Sequence, residues 1–231
     1  MLVDTLPDSA LVLLNKIQNP QRLNKPQYYD YFLLRVRAKD KTFNDITQDT
    51  LIFKVKEYYI HKKNVEKILL ATFYSSRVLR EQGRFGEALE TLLSAEPYLS
   101  KSNNINLKGL VQGSIGEIYY QQLLKDKAIT HFKHAERFFH LAENFRNEII
   151  ECNYIGNCYL LQGKSDSAFL YYFRALALAD RHQFPREQAG IRESIGVAYL
   201  ENKDYINAEN YFKEAWDFSV DSLKKASIST N

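Results

Sequence analysis

Two pairs of side chains in this 231-residue sequence have the types and spacing for metal or redox chemistry. His131 and His134 stand three residues apart in a stretch of helical periodicity, which places two imidazoles on one face, as a metal would need. His140 lies about 180° round the axis from His131, so it does not join them. Two neutral imidazoles without a third ligand hold a metal poorly, and the pair reads as a solvent-facing helix surface. Cys152 and Cys158 are six apart, about 240° around the same kind of helix, too divergent for a disulfide or a shared metal. They read as buried, reduced thiols. Gly83-Arg84-Phe85-Gly86 has two glycines, as a phosphate-cradling loop does, but it falls where one helical segment gives way to the next and reads as a turn. Zinc-protease and nucleophile-elbow motifs are absent, and the acidic residues fall in i, i+4 pairs with bases. The side chains thus imply no enzyme, no cofactor and no metal.

The elements that carry these residues are helices. The composition is 45% hydrophobic and 26% charged, with nine Gly and five Pro. Such a chain can bury a core, has too few turn formers for a sandwich or barrel, and carries long runs of strong helix formers. The net charge of +3 is dispersed, with no stripe of the kind a nucleic acid needs, so no direct nucleic-acid partner is expected. Aromatics make up 13%, with sixteen Tyr and fourteen Phe, which favours packing seams and recognition surfaces. Met1-Leu2-Val3-Asp4 does not open a basic region followed by an apolar stretch, and nowhere do eighteen apolar residues run together. The expected location is cytoplasmic, or periplasmic if the chain is a piece of a longer membrane-anchored protein.

Self-similarity sets the organisation. Ile115-Gly116, Ile155-Gly156 and Ile195-Gly196 recur every 40 residues, each followed by Tyr119, Tyr159 and Tyr199. Ala128, Ala168 and Ala208 keep the register, as do Phe132, Tyr172 and Phe212, and Ala135, Ala175 and Ala215. One period earlier stand Ser75-Ser76, Leu79, Ala88, Leu92 and Ala95, and Gln82, Gln122 and Gln162 add a further matching slot. Gly116 to Tyr119 is about one helical turn, and Ala128, Phe132 and Ala135 share one face of a second helix, so each unit is a helical hairpin. Small residues let the helices approach and the aromatic slots fill what remains. The expected boundaries are 65–104, 105–144, 145–184 and 185–224, with a short tail after them and a degenerate segment over 1–64. That segment should hold helices over 7–19, Tyr28 to Lys39 and Gln48 to His61.

The pattern of Gly, Tyr, Ala, aromatic and Ala resembles the tetratricopeptide repeat, whose usual period is about 34. The extra residues would fall after the second helix, around Asn103-Asn104, Asn144-Phe145 and Gln183-Phe184-Pro185. This lengthened repeat, with Pro7-Asp8-Ser9-Ala10-Leu11 at the opening, is similar to the sensory regions of Bacteroidetes tetratricopeptide regulators. The resemblance implies an all-α, right-handed superhelical solenoid of roughly eleven helices, forming one continuous array.

It also implies that the first helix of each unit lines a concave groove for a protein or peptide. On those helices Asn153 and Asn157 share a face, and their amides could both donate to and accept from an extended peptide backbone. Arg77 and Arg80, one turn apart, could pair a carboxylate, Glu117 occupies the Arg77 slot one repeat on, and Tyr120 would form an apolar wall. The slot of Phe73, Gly113 and Asn153 lacks the lysine of chaperone-type carboxylate clamps. The expected function is a non-enzymatic binding scaffold, or else the ligand-sensing region of a bacterial regulator whose output domain lies elsewhere. After the last unit, Ser219 to Asn231 read as too short and polar for a covering helix, with Ser227 to Asn231 frayed. An apolar seam around Ile191, Ile195 and Phe212 should therefore be open to self-association.

Overall fold

The computed structural model describes the backbone of residues 2–228 and the side chains of residues 2–219. Its helices are α1 (Leu2–Thr5), α2 (Pro7–Asn15), α3 (Lys25–Lys41), α4 (Leu51–Lys62), α5 (Val65–Glu81), α6 (Phe85–Leu93), α7 (Glu96–Leu99), α8 (Ile105–Gln121), α9 (Lys125–Leu141), α10 (Phe145–Leu160), α11 (Ser165–His182), α12 (Pro185–Glu201) and α13 (Tyr205–Ile228). A 3₁₀ turn, Pro20–Arg22, precedes α3, and no strand occurs among the described residues. Two compact units form, Met1–Leu107 and Lys108–Asn231.

Backbone chemistry repeats more widely than the side-chain pattern does. The first helices begin at Lys25, Val65, Ile105, Phe145 and Pro185, at a constant interval. The cause is the residue in front of them. The side chains of Asn24, Asn64, Asn104 and Asn144 accept from the backbone N–H three residues on, at 3.0, 3.1, 3.0 and 3.3 Å. Each satisfies a donor that the first turn leaves orphaned. The fifth helix opens on Pro185, which has no N–H to satisfy. The same helices end alike. Phe43, Gly83, Leu123, Gly163 and Lys203 all have positive φ, and the N–H of the following residue returns to the carbonyl of Lys39, Leu79, Tyr119, Tyr159 and Tyr199 at 2.8–3.0 Å. The template thus reaches into the segment expected to be degenerate.

Several boundaries differ from those the sequence suggests. Helix α2 stops at Asn15, because Asn19 takes a left-handed conformation ahead of Pro20, whose ring disfavours a helical residue before it. Helix α3 begins three residues early, on its Asn24 cap, and α4 runs Leu51–Lys62. The second helices take up residues expected in the connection after them, since α9 and α11 run for 17 and 18 residues, to Leu141 and His182, before a short turn. Pro97 divides the equivalent helix into α6 and α7, because it has no N–H for the ladder and its ring crowds the carbonyl four residues back. Eleven of the described α-helices are nine residues or longer, and α1 and α7 are four-residue additions. At the other end α13 continues to Ile228 where a polar tail was expected, and residues 229–231 lie outside the described region.

Within each of the last three hairpins a ring on the second helix lies on a glycine of the first. A Cβ at Gly116 would meet Phe132 at 2.5 Å, one at Gly156 would meet Tyr172 at 2.5 Å, and one at Gly196 would meet Phe212 at 2.8 Å. Where the slot holds Leu92, Ser76 replaces the glycine, and both are buried. In the first hairpin Val36 and Ile52 occupy these positions, fully buried. The alanines at 88, 128, 168 and 208 are also buried, as the register requires. A second ring pair closes each later hairpin, with Tyr159 on Tyr171 at 5.6 Å and Tyr199 on Tyr211 at 5.5 Å. Ahead of these units, α1 and α2 cover α3 through Val3, Ala10 and Ala38.

Gly156→Ala should cost about 1–3 kcal/mol, since the methyl group must displace a fully packed ring. Gly190, also helical, has nothing within 4 Å of its Cβ position, so Gly190→Ala should stabilise by about 0.5–1 kcal/mol through helix propensity. Urea denaturation of the two variants should shift in opposite directions.

Candidate functional site

In the first unit, α5 carries Phe73, Arg77 and Arg80. Phe73 is buried edge-on against Tyr74, with ring centroids 5.0 Å apart. The Arg77 Nε donates to the Asp40 carboxylate on α3 at 2.9 Å, so its charge already serves a pairing inside the unit. Arg80 lies half-buried on the same helix.

The second unit holds the other four. Tyr120 on α8 sits half-buried against Tyr154, centroids 5.6 Å apart, and burial raises its hydroxyl pKa. Glu117, also on α8, is half-buried. The two amides on α10 divide in role. Asn157 accepts from the Tyr172 hydroxyl at 2.8 Å, bracing the ring that lies on Gly156. The Oδ1 of Asn153, one turn earlier, is buried with no hydrogen-bond partner. Of the seven candidate binding residues, it is the one with a buried polar atom left without a partner among the described residues.

Two residues earlier on α10 is a carboxyl that sequence reasoning missed. Glu151 is 5% exposed, its Oε2 is unpartnered, and its Oε1 stands 2.5 Å from where a Cβ on Gly113 would be. Gly113 is therefore small to admit this carboxyl. Burial first, then the negative charges of Glu117 and Glu136, push the Glu151 pKa well above its ordinary value. The signal was in the register: the slot reads Val111, Glu151 and Ile191. Close by, Arg174 pairs Glu136 at 2.5 Å and Glu148 at 3.5 Å, and His140 lies 3.2 Å from Glu148.

Neither candidate metal or redox pair leads to chemistry. His131 is half-buried, and not the solvated residue expected. It occupies the ring slot later filled by Tyr171 and Tyr211, with its centroid 5.4 Å from Tyr119 and its Nδ1 2.8 Å from Gln112 Oε1. Burial, then His134, pull its pKa down to about 4, so the ring is neutral. Burial pushes the Cys152 thiol far up and the Cys158 thiol up to about 12, which makes both inert. Among the described residues no group of three or more His, Cys, Asp or Glu is placed to hold a metal, and no helix is long and apolar enough to cross a membrane.

At the end of the second unit, Ile191 and Ile195 are buried against the preceding hairpin and do not form the open seam expected of them. The exposed feature is Trp216, 70% accessible, beside the partly buried Phe212 and Gly190.

No family model and no curated protein matches the chain. Solved structures do. BtubC from P. vanneervenii superposes with a TM-score of 0.76 at 15% identity, over 95% of this chain and 93% of that one. A Rap protein complexed with Competence and Sporulation Factor gives 0.69 at 16% identity, over 93% of this chain and 59% of that one. The Rap conjugation gene regulator of plasmid pLS20, solved in complex with a peptide, gives 0.59 at 18%, over 91% and 57%. The chain thus spans about three fifths of each Rap protein.

The two unusual titrations should oppose each other. Glu151 keeps its proton in the folded state above 4.5, where the unfolded chain has lost it, so its contribution to stability falls as pH rises through the raised value. His131 resists protonation between 6.5 and about 4, so its contribution falls as pH drops through that window. Urea midpoints followed across both windows should show Glu151→Gln flattening the decline above 4.5 alone; an unchanged curve would mean that Glu151 is ionised in the fold. Five shared helix closures, the ring-on-glycine hairpins and these likenesses together show that the chain has the tetratricopeptide-repeat fold.

Proposed function

We propose that the protein is a non-enzymatic scaffold that binds a peptide or an extended protein segment along the first helices of its second unit. The observation carrying this reading is Asn153 on α10, whose buried Oδ1 lacks a hydrogen-bond partner. A buried carbonyl oxygen left unpaired costs about 1–3 kcal/mol, which a backbone N–H from a ligand would offset. Tyr120 and Tyr154, which meet across α8 and α10, would provide an apolar wall, and Asn157 acts as a brace through Tyr172. The likeness to a Rap protein solved with a peptide supports the reading.

A second reading makes this array the sensing part of a regulator. It is supported by the likeness to a conjugation gene regulator, of which the chain spans 57%, and to a signal-transduction ATPase with a tetratricopeptide sensor. Ligand binding would then bias the packing of hairpins toward an output carried elsewhere.

Peptides selected from a random library against the intact chain, titrated calorimetrically, test the first reading. Asn153→Ala should weaken binding by about fivefold, which is about 1 kcal/mol, without lowering stability, since the unpaired oxygen leaves with the side chain. Asn157→Ala should instead lower the melting temperature, because it strands the Tyr172 hydroxyl. Unaltered affinity in Asn153→Ala would remove α10 from the site.

A further inference from the structure

Helix α4 carries Lys54, Tyr58 and Lys62 at intervals of one turn, a single stripe. Against it α3 sets Lys25 and Tyr29, also one turn apart. The Tyr29 and Tyr58 rings meet edge to face with centroids 5.0 Å apart, and Lys25 Nζ lies 5.7 Å from each. Lys62 Nζ lies 5.8 Å from the Tyr58 ring. Lys25, Tyr29, Lys54 and Tyr58, with Phe53 and His61, line an open cleft of about 370 Å³ entirely within the first unit, and Lys62 adjoins it through its contact with the Tyr58 ring.

Its electrostatics are one-sided. Among the described residues, Lys25, Lys54 and Lys62 have no carboxylate partner. The one acid in the lining, Glu57, lies 3.6 Å from Lys56, and the nearby Asp30 is taken by Lys67 at 2.6 Å and by the Tyr59 hydroxyl. Three ammonium groups are thus gathered round an aromatic floor that attracts cations but cannot neutralise them. A carboxylate would complete the arrangement.

We propose that this cleft binds an acidic peptide segment, an extended stretch in which carboxylates alternate with apolar side chains. Lys54 to Lys62 spans about 12 Å of helix, which an extended strand crosses in about four residues. The carboxylates on one face of that strand reach the ammonium groups, and the apolar side chains settle on Tyr29, Phe53 and Tyr58. The track is too short and carries too few charges for nucleic acid, whose binding draws on about six to ten phosphate contacts. The site is independent of the Asn153 face.

Fluorescence anisotropy of the intact chain with a labelled peptide of alternating Glu and Val tests the proposal, with the Gln-for-Glu peptide and a labelled oligouridylate as comparisons. The acidic peptide should bind, weaken as salt is raised, and lose at least about tenfold in affinity with Lys54→Glu and Lys62→Glu together. Lys16→Glu, an exposed charge reversal elsewhere, and Asn153→Ala should leave it unchanged. Should the double reversal fail to fold, Lys54→Gln with Lys62→Gln should give at least about a fivefold loss. Equal binding of the Gln peptide, indifference to the lysine changes, or tighter binding of the oligouridylate through the same lysines would overturn the proposal.

Discussion

An aromatic ring packed against a glycine is the contact on which the later hairpins depend. Phe132 on Gly116, Tyr172 on Gly156 and Phe212 on Gly196 bring two helices closer than any Cβ would allow. Closeness fixes the rest. The alanines at 128, 168 and 208 are buried in the same register, and a second ring pair stacks in the two later hairpins. The contact is a sum of volumes and not a chemical requirement, so Ser76 with Leu92, or Val36 with Ile52, fills the same place. The trade of a large ring against a missing side chain follows from interiors being packed near crystal density.

That trade made most of the fold legible, because Gly, Tyr, Ala and aromatic slots recur in plain sight. It also hid the earliest full hairpin, where Val36 and Ile52 meet the packing need with different residues. What continues there is the backbone chemistry at its ends, an Asn cap at residue 24 and a left-handed Phe43. Caps act on a single turn and leave no periodic apolar trace, so a search guided by side-chain periodicity passes over them. Glu151 and His131 were legible only as departures from a slot, a carboxyl between Val111 and Ile191 and an imidazole before Tyr171 and Tyr211. A helix-face argument treats such polar residues as solvent-facing. Their neighbours in the register say otherwise.

Polar residues on the first helices turn out to be of two kinds. Arg77 and Asn157 serve the protein itself, one tied to Asp40 and the other to Tyr172. Asn153 and Glu151 are buried with capacity left over. Sequence position does not separate these kinds, since Asn153 and Asn157 are the same residue type one turn apart on one helix. What separates them is whether a hydroxyl from the next helix arrives within reach, which depends on the ring slot holding Tyr where other repeats hold Phe. A single oxygen at position 172 thereby decides which amide is available.

The shared closures at residues 43, 83, 123, 163 and 203 have a genetic consequence. Each hairpin enters and leaves through the same backbone geometry, so the chain has equivalent splice points once per period. Unequal recombination that removes or inserts one whole period, for instance between residues 124 and 164, joins a helix end to a helix start of the kind it already had. The coding sequence can therefore grow or shrink by whole hairpins without inventing a junction, whereas a shift of one or two codons would put a side chain where only a glycine admits the ring.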